Sequence, residues 1–585
     1  MTKKISDILL NLFTKSLVWF VLIIWHLLDS SNYEAHLFIG NLFASLFIIG
    51  IITLITNRLS FSVLLTLALE SILNFACAIK AEFFSTVLTY YDLIFLLNIY
   101  HLSGEDFVFS YLTMSFVIYT IIVFALITYL FFKTPVLIKV NHYVRMIMLL
   151  VAIFVFKLSF HNLRDDRSYL HTWLSNTRME NIKNCNQMIP AQNMERALCY
   201  SLGPFLDIIS GIAENKIKSA DPISNSDLIK SKVSELAYVS SKKIKDFPNI
   251  ILVLNESTFD PSYLDYKFAS NLKFDFFHST DYLKGNGILK VHTFGGGSSL
   301  SEFPSVTGII HDIFIGPVTY PFLNVADITK SSIFRELKKI GYYSIVIYPQ
   351  DKKFINAEYA FKVLGADRVV GTNDYGYKPQ EWREISEKMI SEMIDQEIAK
   401  APADMPIFVS VATIRNHGPH SREIEDKVGC KDDMTDIMCS KLNDYMKKLA
   451  ETDKDWMEYT NRIMRAEKKT IMIHFGDHLP SFEGEMDELK FKYPDITSQD
   501  IYRTFYNIRA NFDMENYSYP VLDISYFPSL ILDIVGANDS LFYRASSFIR
   551  NKCNGLLMDC ASLEPDLLRS YKSLITEQLE LHYIH

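Results

Sequence analysis

The chain has 585 residues, of which 49% are hydrophobic, 14% aromatic and only 21% charged. Its mean hydropathy of +0.11 excludes a disordered or low-complexity chain and disfavours a wholly soluble protein. The net charge of −9 gives no indication that the protein binds nucleic acid.

Long apolar segments occupy residues 1–160, and each is long enough to cross a bilayer as a helix of about 20 residues. They are Ile8–Leu28, Leu37–Ile55, Leu59–Ile79, Tyr111–Phe132 and Tyr143–Phe160. Lysine and arginine are concentrated in the segments that face the cytoplasm if the N-terminus is inside. The sequence therefore predicts a five-helix transmembrane domain over residues 1–160, with residues 161–585 on the outer side.

Cysteine usage agrees with that orientation, because six cysteines form three closely spaced pairs on the predicted outer side. The pairs are Cys185 with Cys199, Cys430 with Cys439, and Cys553 with Cys560. Short loops favour local disulfides, which fit a secreted or periplasmic compartment. Six unrelated buried thiols are the alternative, whereas a zinc knuckle is disfavoured because no pair has the required short spacing.

The outer part begins with a polar connector over residues 161–247 and changes character at Pro248. Apolar runs of strand length then alternate with helical patterns, as at Ser331–Ile340 and Glu381–Ala399. The runs are residues 248–255, Tyr343–Tyr348, Ile407–Ala412 and Thr470–His474. This alternation predicts an α/β domain with a largely parallel sheet over residues 248–550, followed by a C-terminal tail, residues 551–585, that carries a cysteine pair.

Polar residues suited to a metal ion or a phosphate follow several of these strands. Glu256 follows the first strand, His417 lies after the third, and Asp477 and His478 come directly after the last. Each alone has an ordinary explanation, such as a helix cap, a turn or a loop histidine. Because sites form at the carboxyl ends of parallel strands, their common position predicts ligands for a divalent ion.

The segment Thr293-Phe-Gly-Gly-Gly-Ser298 precedes a predicted helix, and its three glycines allow the backbone to approach a ligand closely. Ser299 and Glu302 match a capping box, which places Ser298 just before the helix, where backbone N–H groups favour an anion. A serine there, beside a metal ion, could attack phosphorus. The segment is neither a serine-hydrolase elbow nor a nucleotide-binding P-loop.

In this order, the motifs resemble those of the alkaline phosphatase/sulfatase superfamily, and within it the membrane-bound lipoteichoic acid synthase and phosphoglycerol transferase group. The motifs are Leu254-Asn-Glu-Ser, Gly295-Gly-Gly-Ser-Ser-Leu-Ser-Glu-Phe, Asn416-His-Gly-Pro and Gly476-Asp-His-Leu-Pro. A true sulfatase is disfavoured, because its signature needs proline at position 300 and arginine at 302, where Leu300 and Glu302 stand.

The resemblance implies a sulfatase-like α/β/α fold and specific roles for the motif residues. Glu256, Asp477 and His478 match the ligands of a divalent ion (Zn, Mn or Mg), and Ser298 matches the nucleophile, which also touches the ion. His417 matches a histidine that holds the transferred phosphate or protonates a leaving group. Such enzymes release diacylglycerol from a phospholipid donor and pass the headgroup phosphate to a glycan or lipid hydroxyl.

This sequence departs from the group in two places. Its nucleophile is serine where the group usually has threonine, a change that keeps the hydroxyl. The segment Tyr348–Ala357 lacks the histidine, tryptophan and arginine that bind glycerol phosphate in lipoteichoic acid synthases. Lys352 and Lys353 could contact the substrate there or belong to a solvated loop. The cysteine pairs are similar to those of phosphoethanolamine transferases, so the headgroup stays open.

Taken together, these patterns predict a multi-pass protein of the bacterial inner membrane with its catalytic domain in the periplasm. Its expected partners are the membrane, a phospholipid donor and a surface glycan or lipopolysaccharide acceptor, with no nucleic acid. A membrane-tethered metallophosphodiesterase that hydrolyses the same donor is the alternative. The intact residues Glu256, Ser298, Asp477 and His478 argue against a non-catalytic scaffold.

Overall fold

The computed structural model describes residues 35–84, 88, 125, 128–129, 142–164, 203, 205–208, 218–219, 225–235, 247–265, 274–310, 314–315, 321–353, 356–378, 384–424, 434–482, 486, 488–494, 500–557, 560 and 562–579. The chain divides into two compact units. One contains Met1–Leu97 and Gly104–Lys216, and the other contains Asn98–Ser103 and Ile217–His585.

The first unit contains the apolar helices α1 (Ala35–Thr56), α2 (Leu59–Phe84) and α3 (His142–Arg164). These coincide with the second, third and fifth predicted spans, whereas the first and fourth lie wholly or mostly outside the described residues. Within the described ranges, one helix segment, Leu59–Cys77, is long and apolar enough to cross a membrane. The transmembrane domain of five helices therefore stays a prediction.

The second unit contains ten strands among its described residues. They are β1 (Lys218–Ser219), β2 (Asn249–Asn255), β3 (Leu283–Lys290), β4 (Phe314–Ile315), β5 (Tyr343–Tyr348), β6 (Arg368–Gly371), β7 (Ile407–Ala412), β8 (Thr470–Gly476), β9 (Arg503–Ala510) and β10 (Val521–Asp523). The four predicted strands correspond to β2, β5, β7 and β8, so the apolar runs located the centre of the sheet correctly.

The α-helices of this unit lie between and after the strands. They are α4 (Asp227–Glu235), α5 (Asp275–His278), α6 (Ser299–Thr307), α7 (Pro321–Asn324), α8 (Ile333–Lys339), α9 (Ala357–Val363), α10 (Glu387–Lys400), α11 (Asp436–Met464), α12 (Phe527–Ile534), α13 (Leu541–Lys552) and α14 (Pro565–Thr576). The predicted helical patterns at Ser331–Ile340 and Glu381–Ala399 correspond to α8 and α10.

Eight strands form one sheet in the order β10-β3-β9-β8-β2-β7-β5-β6, while β1 and β4 form a separate two-stranded sheet. Within the large sheet, β9 runs antiparallel to its neighbours β3 and β8, and the other neighbouring strands pair in parallel. The prediction of a largely parallel sheet is therefore confirmed, and the carboxyl ends of β2, β5, β7 and β8 share one edge.

Both faces of the sheet are covered, as the continuous apolar strands require. In β2, Ile250, Leu252 and Leu254 pack on one face with α8, α9, α12 and α13, while Ile251 and Val253 pack on the other face with α10 and α11. Helix α14, from the predicted tail, contributes Leu567 and Tyr571 to the first core, and α4, from the predicted connector, contributes Ile229. The domain boundaries drawn from the sequence stay predictions.

The disulfide prediction is confirmed for Cys553 and Cys560, whose sulfur atoms lie 1.95 Å apart. Cys439 is also disulfide-bonded. Its predicted partner, Cys430, and the predicted pair Cys185 and Cys199 lie outside the described residues, so those two pairings stay predictions.

Candidate active site

Two neighbouring parallel strands bring the predicted metal ligands together. Strand β2 ends at Asn255 directly opposite Gly476, the last residue of β8. Glu256 and Asp477 are the next residues of the two strands, so the sheet places both carboxyl groups at its carboxyl edge although they are far apart in sequence.

Glu256, Asp477 and His478 form a buried cluster in which one ligand atom from each lies within 4.8 Å of the others. The Nε2 atom of His478 is 3.3 Å from Asp477 Oδ2 and 3.5 Å from Glu256 Oε1. This is the spatial grouping that the sequence predicted.

Backbone groups fix the orientation of these side chains. Asp477 Oδ1 accepts hydrogen bonds from the backbone N–H groups of Ser257 (2.7 Å) and His478 (2.8 Å). His478 donates from Nδ1 to the Leu479 carbonyl at 2.9 Å, which directs Nε2 toward the carboxyl groups. The second oxygen, Asp477 Oδ2, is buried and accepts no hydrogen bond from any described residue.

The electrostatics of the cluster show an excess of negative charge. Burial, together with the charge of Glu256, raises the pKa of Asp477 to about 7. Burial opposes ionisation of Glu256, but the imidazoles of His478 and His417 hold the pKa of that carboxyl below its usual value. Burial disfavours the charged form of His478, yet Asp477 and Glu256 raise the pKa of its imidazole.

These residues fit a divalent ion. Two carboxyl groups and an imidazole are a donor set that zinc and manganese accept, and the buried Asp477 Oδ2 lacks the donor that a buried oxygen normally has. A cation would satisfy that oxygen and remove the repulsion between Glu256 and Asp477. His478 and Ser298 offset part of this cost, yet the pKa of Asp477 stays raised to about 7.

Ser298 joins the cluster from the glycine-rich segment. Gly295, Gly296 and Gly297 have φ angles of 68°, 150° and 74°, a conformation that side chains with a Cβ atom rarely adopt. The serine hydroxyl lies 3.0 Å from Glu256 Oε2, to which it donates, and 3.4 Å from His478 Nε2. Ser298 is the residue before α6 but makes no capping hydrogen bond with its side chain, so its hydroxyl faces the carboxyl groups.

The predicted capping box of Ser299 and Glu302 is wrong. Helix α6 begins at Ser299, so Ser299 lies inside the first turn and not at the cap. Glu302, one turn after Ser298, is buried, and burial followed by the charges of Asp477 and Glu256 raises its pKa to about 8. The i, i+4 spacing from Ser298 is the sequence signal that could have placed this acid one helical turn after that serine.

His417 lies on the loop after β7, and hydrogen bonds tie this loop to the end of β2. Thr413 Oγ1 accepts the Glu256 backbone N–H at 3.1 Å, and Asn416 donates to Thr258 Oγ1 at 3.0 Å. His417 itself is exposed and donates from Nδ1 to the Gly418 carbonyl at 2.7 Å. His478, and after it His417, lower the pKa of the Glu256 carboxyl against the effect of burial.

Among the described residues, no hydrogen bond or ion pair joins the two predicted substrate lysines to Glu256, Asp477 or His478. Lys352 forms an ion pair with Asp374 at 2.9 Å and approaches Glu358 at 4.0 Å. Lys353 is exposed, and its backbone N–H donates to Asp351 Oδ1 at 2.9 Å. Their role in substrate binding stays a prediction.

Residues 248–537 match the family model described as Sulfatase. This part of the chain is therefore a sulfatase-family domain, and the resemblance to the alkaline phosphatase/sulfatase superfamily is confirmed.

Individual relatives are more distant. An uncharacterized protein of Haemophilus influenzae is 26% identical over 370 residues, which cover 61% of this chain and 66% of that protein. The capsular polysaccharide biosynthesis protein RkpI of Rhizobium meliloti is 24% identical over 198 residues, 34% of this chain and 35% of its own length. Each match spans less than two thirds of the relative.

Among solved structures, the Streptococcus pyogenes phosphoglycerol transferase GacH in complex with sn-glycerol-1-phosphate is similar, with a TM-score of 0.49 and 19% identity. The match covers 62% of this chain and 94% of that one.

Proposed function

We propose that the protein is a metal-dependent transferase that moves a phospholipid headgroup phosphate, phosphoglycerol or phosphoethanolamine, to a surface glycan or lipopolysaccharide. One observation carries the proposal: the Ser298 hydroxyl points into the buried cluster of Glu256, Asp477 and His478, 3.0 Å from a carboxylate oxygen. The sulfatase-family domain supports the same class of chemistry.

Each residue has a defined role in this proposal. Glu256, Asp477, His478 and Ser298 would hold a divalent ion. When bound, such an ion supplies positive charge that activates a hydroxyl and neutralises a phosphoryl oxygen. The Ser298 hydroxyl attacks phosphorus, and its proton leaves along the hydrogen bond to Glu256. The bond from phosphorus to diacylglycerol breaks, and His417 protonates the departing oxygen.

Other observations support the cellular setting. The disulfide Cys553–Cys560 fits an oxidising compartment such as the periplasm. The apolar segment Leu59–Cys77 fits a membrane anchor that keeps the catalytic domain near its lipid donor. The name of the Rhizobium meliloti relative, a capsular polysaccharide biosynthesis protein, supports a glycan as the acceptor.

The proposal is tested by trapping the phospho-enzyme. The full chain in detergent, loaded with Mn²⁺ or Zn²⁺, is incubated with phosphatidylglycerol or phosphatidylethanolamine labelled in the headgroup. We expect diacylglycerol release and a phosphoryl adduct on the peptide that contains Ser298. Ser298→Ala should lower diacylglycerol release by at least ~10³-fold, while Ser298→Thr, which keeps the hydroxyl, should retain activity.

Circular dichroism and thermal unfolding of Ser298→Ala serve as the control for folding. An adduct on Ser299 or Ser301, or headgroup release that survives Ser298→Ala, would contradict the assignment of the nucleophile. A labelled glycan product indicates a transferase, whereas free headgroup phosphate as the sole product indicates the metallophosphodiesterase.

A further inference from the structure

A cavity of about 320 Å³ lies beside the candidate active site, between the loop after β7, the start of α10 and the middle of α11. Its lining includes His417, Pro419 and Ser421 from the loop, residues 384–386 before α10, and Lys448 and Glu451 of α11. The volume falls in the range of about 300–1,000 Å³ that is usual for pockets that bind small ligands.

The loop after β7 lines the cavity and is also bonded to the end of β2 at the candidate active site. His417 lines the cavity, and its charge reaches the Glu256 carboxyl. The same loop is fastened to the active site by Asn416, which donates to Thr258 Oγ1, while the Thr258 hydroxyl donates to the Glu256 carbonyl at 2.8 Å. A ligand in the cavity would therefore contact the loop that carries His417, and that loop is bonded through Thr258 to the backbone of Glu256.

The basic side chains around the cavity already have carboxylate partners. Arg415 Nε lies 2.8 Å from Glu387, and its Nη2 lies 2.7 Å from Asp455. Arg422 lies 2.6 Å from Asp444, and the Lys448 ammonium lies 3.5 Å from the same carboxyl group. Such pairing leaves little positive charge for a second phosphate, so the lining does not favour an anionic ligand.

The remaining polar groups of the lining can form hydrogen bonds with the hydroxyl groups of a ligand. The Ser421 hydroxyl can donate to and accept from a hydroxylated ligand, and the carboxylates of Glu384 and Glu451 can accept from it. Glu451 lies 3.8 Å from both Arg415 and Arg422, so each of its oxygens still has room for a ligand hydroxyl. Ile385 and Pro419 add small apolar surfaces that suit the C–H faces of a sugar ring. Because charged groups surround these surfaces, the cavity is a poor site for acyl chains.

We propose that this cavity is the acceptor subsite of the transferase and that it binds an uncharged saccharide unit with one hydroxyl directed past His417 toward Ser298. The assignment rests on the proposed function and extends it by naming the acceptor class and its position. In the second half-reaction the saccharide hydroxyl oxygen bonds to phosphorus, and the bond between phosphorus and Ser298 Oγ breaks.

The protons balance within that step. The acceptor hydroxyl proton goes to Nε2 of neutral His417, because Nδ1 already donates to the Gly418 carbonyl. Ser298 Oγ takes back from Glu256 the proton that it gave up in the first half-reaction and regains its original state. His417 then returns its proton when the next diacylglycerol leaves, so the imidazole serves both half-reactions.

The test separates the two half-reactions. Full-length protein in detergent receives headgroup-labelled phospholipid, with total envelope polysaccharide of the source strain as the acceptor probe. Ser421→Trp places a large side chain at the cavity, and Glu451→Gln removes a lining charge while keeping the shape. The matched controls are Ser231→Trp on α4 and Glu458→Gln on α11, both exposed positions outside the cavity lining.

For the cavity variants we expect phospho-Ser298 to form at the wild-type rate, with label transfer to polysaccharide reduced about tenfold for Ser421→Trp and about threefold for Glu451→Gln. The controls should change neither rate. If Ser421→Trp fails to form the phospho-enzyme, the substitution has damaged the fold. The transfer rate of Glu451→Gln then tests the acceptor subsite in its place.

Transfer at wild-type rates by both cavity variants overturns the acceptor subsite, and so does label that wild-type protein delivers to lipid and not to polysaccharide. Absence of phospho-Ser298 in the wild-type protein overturns the proposed function itself and the subsite with it. The two failures are therefore distinct.

Discussion

Two polar clusters of the second unit differ in how their charges are balanced. Around Arg550, both oxygens of Asp533 accept hydrogen bonds: Asn538 donates to Oδ1 at 2.7 Å, and Arg550 and Ser547 donate to Oδ2. Arg550 also donates to Ser529 at 2.9 Å. Each charge in this cluster has a partner from the chain itself.

The cluster at the sheet edge is balanced differently. Glu256 and Asp477 place two carboxyl groups beside the buried imidazole of His478, and their charges add to burial in raising the pKa of a third buried carboxyl group, Glu302. Asp477 Oδ2 accepts no hydrogen bond from the described residues. A cluster that satisfies itself stabilises the fold, whereas a cluster with an excess of buried acid loses stability until a cation arrives. The contrast separates a structural network from a ligand site.

Removing the positive charge of Arg550 from the cluster around Asp533 should have the largest effect on stability. Arg550→Met keeps much of the side-chain volume but leaves Asp533 without its ionic partner, so we expect the free energy of unfolding to fall by about 3–5 kcal/mol. Urea denaturation measures this loss. Lys552→Met, at an exposed position of the same helix, should change stability by less than about 0.5 kcal/mol. Equal losses for both variants would show that the network contributes nothing.

Removing a carboxylate from the cluster of Glu256, Asp477 and His478 should increase the free energy of unfolding of the metal-free protein. In the metal-free protein the pKa of Asp477 is raised from 3.8 to about 7, so the unfolded chain releases this proton at lower pH than the native state. The contribution of Asp477 to the free energy of unfolding therefore falls as the pH rises from about 4 to 7, and it does not recover above pH 7. Asp477→Asn keeps an oxygen for the two backbone donors and should stabilise the metal-free protein by about 2 kcal/mol at pH 8, less at pH 5.

The measurement for Asp477→Asn is thermal unfolding in EDTA and again with Mn²⁺ or Zn²⁺. The metal should raise the Tm of the wild-type protein and leave that of the variant nearly unchanged, because one ligand has lost its charge. A variant that is less stable than the wild-type protein in EDTA at pH 8 would contradict the idea that the acids of the cluster repel one another.

Glu302→Gln should have the smallest effect. With a pKa raised to about 8 by burial and by Asp477 and Glu256, the Glu302 carboxyl is mostly protonated at pH 7 in the metal-free protein, and an amide resembles that state. We expect a change of less than about 1 kcal/mol at pH 5 in EDTA, growing in favour of the variant as the pH rises to 8 and constant above it, because the unfolded chain releases this proton near pH 4.5. A large loss at pH 7 would mean that Glu302 is ionised and paired.

The sequence predicted the centre of the fold well because its strands are buried on both faces. Strands β2, β5, β7 and β8 are continuous apolar runs, and the rule for parallel sheets then located Glu256 and Asp477 at one edge. Strand β3 was missed because Gly285 and Gly287 interrupt its pattern. A Cβ atom at Gly287 would lie 2.1 Å from the Tyr519 carbonyl oxygen, so the close neighbour requires glycine.

Other misses concern side chains whose partners lie far away in sequence. Glu302 was interpreted as a helix cap because the local pattern matches, whereas its actual neighbours, Glu256 and Asp477, come from other strands. The polar strand β9 has no apolar run, yet it is buried, with Asn507 opposite His474 and Arg509 opposite Met472. Local patterns cannot show such pairings, because tertiary contacts determine them.

The order of the sheet has a consequence for synthesis of the chain. Ser257 and Asp477, joined by a hydrogen bond at the centre of the site, are 220 residues apart, and β2 pairs with β8 only after the whole intervening chain has been made. Contacts of such sequence separation form late, because a long loop must close first. A chain arrested before residue 478 therefore carries Glu256 and the glycine-rich segment but lacks His478, so its cluster is incomplete. The buried cluster of Glu256, Asp477 and His478 is therefore complete only after translation has passed its last member.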